Sequence, residues 1–152
     1  MTVATSTFVM SAVLGPVEAM YSAADVSRTH PTSGEVMLRG TMVMQPGSSG
    51  VGGMSMSGMN MSGSTSGGQV RHLEVHICTA SGNVVTDANP SIRLRDATDG
   101  AVTPVPIAVM QGVTSGTSDL HYGNNISLTL GDAYFAEVAV NGVTASLRLP
   151  PA

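Results

Sequence analysis

The stretch 133–149, AYFAEVAVNGVTASLRL, restricts the fold more than any other part of the chain. It consists of two runs in which apolar side chains alternate with small or polar ones, joined by Asn141-Gly142. Alternation with period two describes a pleated strand with one buried face. Asn-Gly is the pair best able to occupy both positive-φ positions of a two-residue type I′ turn, so an antiparallel hairpin is expected here. Similar short runs recur upstream. EVMLRGTMVM (35–44) places Val36, Leu38, Met42 and Met44 on one side, and VRHLEVHICT (70–79) and SIRLRD (91–96) follow. VPIAVM (105–110) carries Pro106, a sign of an edge or bulge, and ISLTL (126–130) precedes the hairpin. Gly, Ser, Thr and Val are abundant and aromatic residues make up only 3 %, which favours strands and turns over packed helices. About seven short strands over roughly 115 residues predict an all-β, immunoglobulin-like β-sandwich.

A chain of 152 residues suits one domain. Residues 1–34 lack an alternating pattern and read as an irregular N-terminal arm or linker, with a short helix over PVEAMYSAADVSR that would begin at Pro16. The sandwich is expected over 35–152, interrupted at 47–69 by a flexible loop built almost entirely from Gly, Ser and Met. A second Gly/Ser-rich loop is expected at 111–125, with His121 inside it.

Charge narrows the function. The chain has no lysine and a net charge of −4, so there is no basic patch to follow phosphates, and nucleic acid is not an expected partner. No apolar run approaches the roughly 20 residues needed to span a bilayer. TSTFVMSAVLG is apolar enough for a short secretory core, but no Lys or Arg precedes it. The single cysteine, Cys78, can form no internal disulfide and reads as a small residue in or near the core. No G-x-S-x-G elbow or phosphate-binding loop is present, and catalytic residues are not expected.

The run 70–79 carries the chemistry. Period two puts His72, Glu74, His76 and Cys78 on one face and Leu73, Val75 and Ile77 on the other. Two imidazoles and a carboxylate thus lie along about 14 Å of strand, with neighbours close enough to share an ion. Met44 and Met110 each end a strand, and Met54, Met56, Met59 and Met61 crowd the loop MSMSGMNMSG. Imidazole and carboxylate suit Cu(II), and thioether sulfur favours Cu(I). The His/Glu portion also suits iron or manganese, whereas structural zinc would call for closely spaced Cys and His pairs. Met-x-Met and Met-x-x-Met spacings in the loop suit capture of Cu(I). His30, in the arm, reads as incidental.

RHLEVHI followed by MQGVTSGTSDLHYGNN resembles the periplasmic copper-binding accessory proteins of bacterial high-affinity Fe(II) uptake, the FetP type, related to a treponemal membrane lipoprotein antigen. The resemblance covers about residues 36 to 149 and implies an exported immunoglobulin-like sandwich, commonly a homodimer, that works with an inner-membrane transporter. It makes His72 a ligand and Glu74 the carboxylate beside the metal, with Met110 as thioether ligand and His121 as the histidine of the H-Y-G motif. Three departures stand out. Met110 lies eleven residues before His121, farther than in the family; no histidine follows His121, so His76, Met44, a loop methionine or water must complete the site; and MSMSGMNMSG is not part of the family pattern.

The expectation is therefore an extracytoplasmic metal-binding protein that holds copper, with iron as a second cargo, and exchanges it with a membrane transport system. Two other classes stay open: a sandwich module that docks on a membrane complex without metal, and a redox helper or cuproenzyme with an open coordination position.

Overall fold

The computed structural model describes residues 1–43 and 68–151. It is an all-β sandwich of two sheets. The larger has seven strands in the order β1-β2-β5-β9-β8-β4-β3, and the smaller has four in the order β11-β10-β6-β7. The elements are β1 (Thr2–Ala4), β2 (Phe8–Gly15), β3 (Met20–Ser22), α1 (Ala23–Thr29), β4 (Glu35–Gly40), β5 (Gly68–Thr79), β6 (Ser91–Asp96), β7 (Val102–Pro104), β8 (Ala108–Gly112), β9 (His121–Thr129), β10 (Tyr134–Val140) and β11 (Val143–Arg148).

The hairpin forms as its sequence dictates. β10 and β11 pair from Val140↔Val143 outward, and Asn141 (φ 48°) and Gly142 (φ 78°) supply the two positive-φ turn positions. Their inward set, Tyr134, Ala136, Val138, Val140, Ala145 and Leu147, packs with Ile92 and Leu94 of β6 against the inner face of the larger sheet. Opposite them stand Leu73, Val75 and Ile77 of β5, all fully buried, as the alternation of that run requires.

Residues 1–34 are not an irregular arm. They contribute β1, β2, β3 and α1, and β2 pairs along its whole length with β5, sending Phe8, Met10, Ala12 and Leu14 into the shared core. The period-two signal was hidden because the outward positions of β2, Val9, Ser11 and Val13, are themselves apolar or small. The helix does not start at Pro16. Ser22 caps it, its hydroxyl accepting from the Asp25 amide, and the chain before it runs as β3.

Three further expectations are corrected. In β4 the register shifts between Met37 and Arg39 and leaves Leu38 48 % exposed, while Glu35, in regular register with Gly112 and covered by β3, is buried, the reverse of the burial read from the alternation. Pro106 does not sit in a strand: it falls between β7 and β8, where the chain passes from one sheet to the other. Residues 121–125 are not loop but the start of β9, the neighbour of β5. Asn124 makes a polar strand possible there, because its side chain donates to Thr41 O (2.7 Å) and Pro106 O (3.0 Å) and accepts from the Val43 amide (2.8 Å).

The far face of the larger sheet is covered in part. β3, paired in parallel with β4, brings Met20 against Met110 and Ala108, and Met37 and Met42 pack beside them. This second, smaller apolar cluster borders the face on which the histidines lie.

Candidate metal site

Strand register assembles the site. His72 pairs with Asn125 and Glu74 with Gly123 across β5 and β9, and Met110 of β8 pairs with His121. Residues paired in an antiparallel ladder share a face, so His72, Glu74, His121 and Met110 lie on one side of the sheet. Between the two histidines the β9 position is Gly123, where a side chain would collide with the Leu73 carbonyl. The bare backbone there lets the His72 and His121 rings lean together from flanking positions, with centroids 5.6 Å apart and planes at 84°.

Both rings are fully buried, and both have one nitrogen committed. His72 Nδ1 donates to Asn125 Oδ1 (3.0 Å), and Asn125 turns its amide nitrogen toward the Glu18 and Val43 carbonyls and the Met20 sulfur. His121 Nδ1 donates to the Asp119 carbonyl (2.8 Å). Each Nδ1 therefore carries a proton, and Nε2 is the nitrogen each ring has left to offer a ligand. Those two atoms face each other at 3.4 Å. Two imidazole nitrogens held so close need a proton or a metal ion between or beside them. Two nitrogens bound at about 2.0–2.1 Å to one tetrahedral ion stand about 3.4 Å apart. A histidine whose second nitrogen donates to an oxygen is the usual metal-ligating arrangement.

Carboxylates and a third imidazole surround the pair. Ligand atoms of Glu74, His76, Asp119 and His121 all lie within 4.8 Å of one another, and only His121 of these four is fully buried. His76 Nε2 is 3.3 Å from Glu74 Oε2. Their hydrogen bond holds the Glu74 carboxyl below the usual range and raises the His76 imidazole above it. Burial lowers the His121 imidazole below its usual range. Glu35, at the start of β4, is pushed up from 4.5 to about 7 by burial and by the nearby charges of Asp119 and Glu74.

The structure thus brings together His72, Glu74, His76 and His121, all named from the sequence. Met110 occupies the place next to His121 in the same row, fully buried among Met20 and Ala108. Met44 and the loop residues Met54, Met56, Met59 and Met61 lie outside the described residues. Cys78 is half-buried at the far end of the histidine face of β5, and His30 is exposed at the C-cap of α1. Asp119 and Glu35 were missed. Asp119 lies two residues from His121 in a Gly/Ser-rich run and carries no spacing signal of its own; Glu35 opens a strand whose alternation pointed the other way. Among the described residues no helix is long and apolar enough to cross a membrane.

Comparison with protein-family models, curated proteins and solved structures finds no match for this chain.

Proposed function

We propose that this protein is a non-catalytic metal-binding protein that holds copper at His72 and His121, with Glu74, His76 and Asp119 completing the coordination from the half-exposed side. The observation that carries this reading is the pair of buried Nε2 atoms, 3.4 Å apart, each on a ring whose Nδ1 is tied to an oxygen. A docking module gains nothing from two buried imidazole nitrogens aimed at each other. Nitrogen and oxygen donors suit Cu(II), and Fe(II) or Mn(II) can use the same set. Met110 and its neighbours Met20, Met37 and Met42 bring thioethers to the border of the site, which suits a protein that meets copper in its reduced state as well. An extracytoplasmic setting and exchange with an inner-membrane transporter complete the proposal, and they rest on the resemblance carried by HLE and DLHYGNN.

The test is metal content after desalting, with Cu(II) titration of wild type, the His72→Ala/His121→Ala double variant and a His30→Ala control. Wild type and the control should each retain one copper, and the double variant should lose at least about 100-fold in affinity while keeping its β-rich circular dichroism. Unchanged affinity in the double variant would defeat the assignment.

A further inference from the structure

Glu35 has no part in the donor set just described, yet its carboxylate is withdrawn from water. Its residue is 7 % exposed, and its Oε2 has no hydrogen-bond partner among the described residues. That oxygen stands 3.7 Å from His121 Nε2, too far for a hydrogen bond, on the same nitrogen that His72 Nε2 faces. Backbone pairing puts it there: Glu35 is the partner of Met20 in β3 and of Gly112 in β8. At Gly112 a Cβ would come within 2.7 Å of Asp119 Oδ2, so the missing side chain leaves room for that carboxylate near Glu35. A buried carboxylate oxygen without a donor is costly, and methionine or glutamine could fill the same volume more cheaply. An ion at the junction of the two Nε2 atoms would satisfy it.

We infer that Glu35, His72 and His121 form a buried two-histidine, one-carboxylate position that binds a divalent cation, with Glu74, His76 and Asp119 as the outer donors through which the ion reaches it. This deepens the metal-binding reading and rests on it. His121 Nε2 belongs to both groups of donors, so the ion occupies one position at a time. A hard carboxylate with two imidazoles and open positions is a donor set for Fe(II), Co(II), Zn(II) or Cu(II), whereas a monovalent soft ion gains little from the carboxylate and is satisfied by the imidazole pair.

The experiment compares Co(II), followed by its visible absorption, with Ag(I), a redox-inert monovalent probe, on the whole chain carrying Glu35→Gln. Co(II) affinity should fall at least about tenfold, and Ag(I) affinity should change by no more than about threefold. Equal losses for both ions would make Glu35 a structural residue and overturn the inference, as would undiminished Co(II) affinity. If Glu35→Gln does not fold by circular dichroism, Glu35→Asp must weaken Co(II) more than Ag(I), or the inference fails. Loss of this inference leaves the parent reading intact wherever the His72→Ala/His121→Ala variant still abolishes binding; a wild type that binds neither ion overturns both.

Discussion

The two faces of β5 are built from alternate residues of one run and obey opposite rules. Leu73, Val75 and Ile77 meet the four-stranded sheet and are buried because burial of apolar surface is favourable. On the reverse, His72, Glu74 and His76 are wholly or partly withdrawn from water, although burial is unfavourable for such groups. The first face stabilises the fold; the second draws on that stability to hold imidazole nitrogens and carboxylates close together. A face that is buried and polar, and still short of partners at Glu35 Oε2, points to a ligand rather than to packing.

Truncations on either side should therefore separate stability from binding. Leu73→Ala should have the largest effect on stability, a loss of about 2–5 kcal/mol in urea unfolding, while the folded fraction keeps wild-type metal stoichiometry. Reduced stoichiometry in that fraction would mean that the two faces are not separable. Glu35→Gln should do the opposite and stabilise the metal-free protein. The folded-state value of about 7 lies above the ordinary 4.5, so folding favours the protonated carboxyl. The associated stability is full below pH 4.5 and is lost as pH rises through 7. In the presence of chelator the variant should match wild type near pH 4 and exceed it by about 2–3 kcal/mol at pH 8. A constant difference across that range would show that Glu35 is not ionising in a buried setting.

The smallest effect is expected at the rim. His76→Ala removes the hydrogen bond to Glu74 in a half-exposed pair and should cost only about 0.5 kcal/mol. The His76 part of that contribution is lost as pH rises past 6.5, because its imidazole is raised, and the Glu74 part is lost as pH falls below 4.5, because its carboxyl is lowered. The stability deficit of the variant should therefore peak between these values, as read from chemical unfolding at a series of pH values. Metal affinity should fall less than in His72→Ala, whose ring is the deeper ligand.

Much of the fold was legible. The runs at 70–79, 91–96 and 133–149 announce β5, β6 and the β10–β11 hairpin, because each alternates apolar with polar residues. β2 was not legible, since Val9, Ser11 and Val13 carry no polar contrast on the face that borders the histidines. β4 was misread because the irregularity at Met37/Arg39 turns Leu38 outward and because β3, itself not legible, covers Glu35. In the site, His72, Glu74, His76 and His121 announced themselves by residue type and spacing. Glu35 did not, because what distinguishes it is the absence of a hydrogen-bond partner, a property of the surroundings rather than of the residue.

The sequence by itself determined which side chains of β5 share a face, where the final hairpin turns and which donor chemistry the chain offers. A period of two follows from backbone geometry alone and needs no neighbour. Only the tertiary structure decided that β5 lies between β2 and β9, that His72 leans toward His121 above Gly123, and that β3 and β4 bring Glu35 to the same nitrogen. Those relations depend on long-range register, which the packing of the whole sandwich selects, and a local pattern specifies the face of a strand but not the strand beside it.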